Sequence, residues 1–128
     1  MFDAETIALE VADGLQGRLE AVAVRALNRT AFRVMTDARE SIQITRTPSR
    51  PGQPPHSRRG RLPQSIAFAV EEDQLMAFIG PRYSKVNRIG ETMEFGGMFR
   101  GRNYAARPFM RPAMERNLDF FVASFGGG

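Results

Sequence analysis

A chain of 128 residues, 42% hydrophobic and 25% charged, has room for one domain with a modest core and not for two. It contains no cysteine, which excludes a disulfide framework and thiolate metal sites and fits a reducing compartment. The net charge of +4 rests almost wholly on arginine, 17 of the 18 basic residues, with Lys85 the single lysine. Two readings of that usage stand: a compositional bias of the genome, or a surface made for bidentate contact with protein or phosphate.

Asp3, Glu5 and Glu10 lie where a signal peptide would be basic, and no apolar run approaches the ~20 residues of a membrane span. The sequence therefore predicts a soluble product that begins in a cytoplasm. Across residues 3–40, Ile7, Val11, Leu15, Leu19, Val22, Ala26, Val34 and Ala38 recur at mostly three- and four-residue spacing, continuing to Ile42. That pattern predicts one long helix with Asp3 as its cap. Gly14 and Gly17, each costing about 1 kcal/mol in a helix interior, mark a bend or close contact, or are simply tolerated. A helix of that length exceeds the width of a small domain, so part of it is expected to pack on a neighbouring subunit.

Residues 46–63 hold Pro48, Pro51, Gly52, Pro54, Pro55, Gly60 and Pro63, with five arginines and no acid between Arg46 and Arg61. This predicts an extended, polyproline-like arm, for binding or as a linker. Ile66, Phe68 and Val70 then alternate with small residues, and the apolar run from Leu75 to Gly80 follows Glu71-Glu72-Asp73-Gln74, predicting a β-hairpin. Val86, Ile89 and Met93 suggest a short helix ended by Gly96-Gly97. Residues 98–106 are expected as a loop carrying Arg100 and Arg102, and residues 108–125 as a second helix that tolerates Pro112 in its first turn. The fold class predicted is α+β: a long N-terminal helix, a small antiparallel sheet with a β-hairpin, and a C-terminal helix packed on the sheet.

Residues suited to catalysis are sparse. His56 is the only histidine and lies in the proline-rich arm, where a solvated side chain is the expectation. Glu71-Glu72-Asp73 reads as a solvated hairpin tip. Glu91 and Glu94, nearly one helical turn apart, suit charge pairing with Lys85 or Arg88 better than metal binding, since no third ligand is evident. No phosphate-binding loop, dinucleotide fingerprint or zinc spacing occurs, so neither enzyme activity nor a cofactor is expected.

Four segments, taken together and in order, carry a resemblance. They are Ser49-Arg50-Pro51-Gly52-Gln53-Pro54-Pro55-His56-Ser57 running on to Gly60-Arg61-Leu62-Pro63-Gln64-Ser65-Ile66; Gly80 before Tyr83; Met93-Glu94-Phe95-Gly96-Gly97; and Ala106-Arg107-Pro108-Phe109-Met110-Arg111-Pro112-Ala113. Across residues 46–118 they resemble the tail-completion, or head–tail joining, family of long-tailed bacteriophages. Met93 and Gly97 depart from the valine and threonine usual there.

The resemblance implies a virion structural protein of the neck without an enzymatic step. It would form a ring with copies of itself, a hexamer first and a dodecamer next, between portal-side and tail-side neck proteins, with DNA passing through the lumen. Partner contacts are expected in the arm at Arg50, Pro51, Pro54, Pro55, Arg58 and Arg59. Further contacts are expected at Glu94, Phe95, Arg100 and Arg102, and at Arg107, Phe109, Met110 and Arg111. Phe109 is equally readable as a core residue of its own subunit. The competing expectation is a basic nucleic-acid-binding module, from a pI near 10.6 and the Arg46–Arg61 cluster. A small basic ribonuclease toxin is a third, for which His56 is poorly placed.

Overall fold

The computed structural model describes residues 7–10, 18–82 and 89–126. Asp3, Glu5, Val11, Gly14, Leu15, Gly17, Tyr83, Lys85, Val86 and Arg88, on which sequence expectations rest, lie outside the described residues. Helix α1 (Arg18–Ser41) is the spine, about 36 Å long at 1.5 Å per residue. Its buried face, Ala23, Ala26, Leu27, Thr30, Ala31, Val34, Met35 and Ala38, follows the helical period and continues into Ile42. The chain itself therefore covers one side of α1 almost from end to end, while Phe32 stays 55% exposed on another.

Against this face lies a three-stranded antiparallel sheet in the order β1–β5–β4, built from β1 (Ile7–Glu10), β4 (Ile66–Glu71) and β5 (Met76–Pro81). The predicted hairpin is β4–β5, with Phe68 opposite Ile79 and Val70 opposite Ala77. That register puts the alternating residues Ile66, Phe68 and Val70 on the core side with Ala77 and Ile79, as a two-residue period requires. Strand β1 corrects the sequence reading. Ile7–Glu10 was expected to be helical, and instead pairs with β5, Leu9 opposite Ala77.

The proline-rich arm also departs from expectation, because it folds back on the body. Part of it, β3 (His56–Ser57), forms a two-residue parallel pair with β2 (Gln43–Ile44) just before it, and it runs on into a short helix α2 (Arg61–Ser65). Helix α3 (Ile89–Phe95) follows. The expected loop over residues 98–106 contains a second hairpin, β6 (Gly97–Phe99) with β7 (Arg102–Tyr104). Arg100 and Gly101 both have positive φ, 51° and 80°, as a two-residue type I′ turn demands. The second long helix is two: α4 (Met110–Arg116) and α5 (Leu118–Gly126), broken at Asn117. Among the described residues no helix is long and apolar enough to cross a membrane.

Candidate functional site

Helix α4 begins without a capping side chain of its own at Phe109. Any helix leaves its first four N–H groups without an internal partner. Here the partner is Glu94, near the end of α3 and only 6% exposed. Its Oε1 accepts from the N–H of Phe109 at 3.0 Å and of Met110 at 2.8 Å, and its Oε2 accepts from Arg111 at 3.2 Å. The fourth position is Pro112, which has no N–H to place. One carboxylate and one proline thus account for the whole first turn, with negative charge at the end of the helix that favours it.

The segments around this cap are locked as closely. The N–H of Arg107 donates to the carbonyl of Met93. Gly96 turns the chain at φ 77°, and a Cβ there would stand 3.0 Å from the Ala106 nitrogen and 3.1 Å from the Tyr104 oxygen. Both the left-handed backbone and the close approach exclude a side chain. The Arg107 guanidinium reaches across to the arm, donating from Nε at 3.1 Å and Nη2 at 3.0 Å to the Ser49 carbonyl. In the arm, Arg50-Pro51-Gly52-Gln53 forms a turn closed by Gln53 N–H to Arg50 carbonyl at 3.1 Å, with Gly52 at φ 82° as a type II turn requires. Gly52 N–H then donates to the Ala106 carbonyl at 2.8 Å.

Where the arm meets the β6–β7 hairpin, a groove of about 600 Å³ opens. Arg58, Arg59, Arg61 and Arg100 line it over an apolar floor of Leu62, Ile89, Met93 and Phe99. A neighbouring recess sharing His56 and Arg58 adds Arg46 and Arg107. Neither wall carries a carboxylate among the described residues. Arg46, Arg58, Arg59 and Arg61 make no side-chain hydrogen bond or ion pair among the described residues. Arg100 holds a left-handed backbone that favours glycine or asparagine, and its guanidinium lies 5.3 Å from the Phe99 ring centre. His56 Nδ1–H donates to the Thr47 carbonyl at 2.7 Å, which ties the ring to the arm.

Of the residues expected at a partner surface, Arg50, Pro51, Arg58, Arg59 and Phe95 are exposed, as are Arg100, Arg102 and Arg111. Pro54 and Arg107 are half-buried. Four of the expected contact residues are buried within the chain itself. Phe109 and Met110 have no accessible surface and belong to the chain's own core, with Ile79, Val34 and Leu27 in the same cluster. Pro55 is fully buried, and the carboxylate of Glu94 is engaged by backbone N–H groups of α4, while Lys85 and Arg88, its expected charge partners, lie outside the described residues.

Asn117 escaped the sequence reading altogether. It is 1% exposed; its Nδ2 donates to Asp37 Oδ2 at 2.6 Å and to the Ala113 carbonyl at 2.8 Å, and its Oδ1 accepts from Arg33 Nε at 3.1 Å. Arg33 in turn stacks on Phe120, 4.1 Å from the ring centre, so the helix break is pinned to α1. An asparagine at a core position of the helical period, four residues after Ala113 and four before Phe121, is the one signal that pointed there. Among the described residues no group of three or more His, Cys, Asp or Glu side chains is placed to hold a metal ion. No protein-family model matches the chain, and no curated protein or solved structure matches it.

Proposed function

We propose that this chain is a structural subunit of a phage, or prophage-derived, particle neck, joining head to tail as one member of a ring around the DNA channel. The supporting observation is the convergence of the resembling motifs. Glu94 of the Met93-Glu94-Phe95-Gly96 segment caps the helix entered by Arg107-Pro108-Phe109, and Arg107 holds Ser49 beside the Pro51-Gly52 turn. Residues that match in order along the chain thus act as one mechanical unit, a scaffold that presents the arm and the β6–β7 hairpin at fixed positions.

No step in this role is catalytic. The exposed arginines of the arm and hairpin serve contacts with neighbouring subunits and adjoining neck proteins, and DNA passes through the lumen without sequence recognition. A hexamer is the favoured copy number and a dodecamer the next. The decisive experiment is averaged imaging of particle necks carrying a labelled copy of this protein. Label in a ring between capsid and tail supports the assignment, whereas necks complete without it overturn it. Phe109→Ala is a poor probe here, because removing a core phenylalanine impairs folding first.

The four arginines lining the groove favour one second reading, a nucleic-acid-binding module. It requires DNA affinity that falls steeply with salt. Binding that is weak at 50 mM salt and insensitive to Arg58→Ala and Arg59→Ala dismisses it.

A further inference from the structure

The cationic groove has a counterpart elsewhere on the same chain. Strand β4 runs antiparallel to α1. At its start, Arg39 donates from Nη2 to the Ile66 carbonyl at 2.6 Å; at its end, Glu72 and Asp73 share a recess with Glu20 and Arg25. The groove lies toward the first of these levels, since His56 and Ser57 of its lining pair with Gln43 and Ile44, just past the C-terminus of α1. The helical rise from Arg25 to Arg39 is about 21 Å. The groove and the β4–β5 turn therefore sit toward opposite ends of α1 and cannot meet within one molecule.

The two features match in charge. Glu71, Glu72 and Asp73 are all exposed at the β4–β5 turn. The groove is concave and lined by four arginines. A contact between unlike patches on identical chains is head-to-tail, and repeated about a rotation axis it closes a ring. We propose that the groove of one copy receives the Glu71-Glu72-Asp73 turn of the next copy. The inference rests on the reading of a self-assembling subunit and names the surfaces that would assemble. Arginine forks suit carboxylates in pairs, and the apolar floor accepts the aliphatic stems of the incoming side chains.

The absence of native cysteine gives a clean test. Arg59→Cys and Asp73→Cys variants, oxidised alone and mixed, should form a disulfide-linked dimer in the mixture and little in either alone. The double variant should form a ladder. Charge reversal tests the chemistry separately. Arg58→Glu with Arg59→Glu in one variant, and Glu71→Lys, Glu72→Lys and Asp73→Lys in another, should each weaken self-association about tenfold or more, read as mass by light scattering. Mixing these two variants should restore association, because each reversed turn then meets a reversed groove and each native turn a native groove. The association should weaken with added salt.

Masses unchanged by either reversal, no recovery on mixing, or no 59–73 cross-link above an Arg46→Cys control overturns the proposal. Loss of DNA affinity in the groove variant with self-association intact does the same, and gives the groove to nucleic acid. Labelled necks separate this inference from the functional one. A ring in the neck without the cross-link leaves only the contact wrong, and a cross-link in a protein missing from the neck leaves only the function wrong.

Discussion

Glu94→Gln is the sharpest perturbation of this fold, since it keeps the size of the side chain and changes only its charge and one oxygen. The glutamine carbonyl can keep the place of Oε1 and its bonds to Phe109 and Met110. Its amide nitrogen then faces the Arg111 N–H, donor against donor, where Oε2 now accepts at 3.2 Å. Hydrogen bonds to a charged group contribute about 1.5–3 kcal/mol and neutral ones about 0.5–1.5. Weakening two bonds and losing a third, partly buried, comes to about 3 kcal/mol. Against a typical total stability of about 5–15 kcal/mol, that is a large fraction. Urea unfolding followed by circular dichroism should show a lower midpoint with an unchanged slope. Exposed Glu115→Gln serves as the control and should leave the midpoint in place. A Glu94→Gln midpoint indistinguishable from wild type would refute the cap as a source of stability.

Gly96→Ala should cost about 2 kcal/mol or more by the same measurement, from the left-handed backbone and the approach of residues 104–106. Asn117→Ala should cost about 2 kcal/mol, by unpairing the Ala113 carbonyl and Asp37, and should loosen α5 first, seen as faster amide exchange there. Arg107→Ala should leave the core standing and release the arm, so that trypsin cuts after Arg46 or Arg58 much sooner than in wild type. Arg100→Asn should raise stability by up to about 1 kcal/mol, because asparagine accepts the type I′ backbone better, while weakening self-association.

The parts of this fold legible in the sequence are those governed by local rules. The period-two run Ile66, Phe68, Val70 gave the β4–β5 hairpin its face, and the helical spacing of Ala26, Val34, Ala38 and Ile42 gave α1 its buried side. Strand β1 was not legible: four residues are too few to establish a period, and Ile7–Glu10 becomes a strand only because β5 offers it an edge. The β6–β7 hairpin hid behind Arg100, where an asparagine before Gly101 would have announced the turn. The break at Asn117 carries neither glycine nor proline and depends on Asp37 and Arg33, distant in sequence. At the candidate site, the arginine cluster of the arm was legible as charge, while its joining to Arg100 in one groove required the fold. Phe109 was readable equally as an outward anchor and as a core residue, because an aromatic beside two prolines says nothing about which way it points. Glu94, fifteen residues away, turns it inward.

The cap also turns three amides into an internal gauge. In most helices, protection from solvent exchange reports the helix's own hydrogen bonds. The N–H groups of Phe109, Met110 and Arg111 are held by Glu94 on another element. Their exchange with heavy water therefore measures the parting of α3 from α4, even while both helices remain wound. If docking of a partner on the β6–β7 hairpin strains or steadies that junction, these three signals will register it without any label.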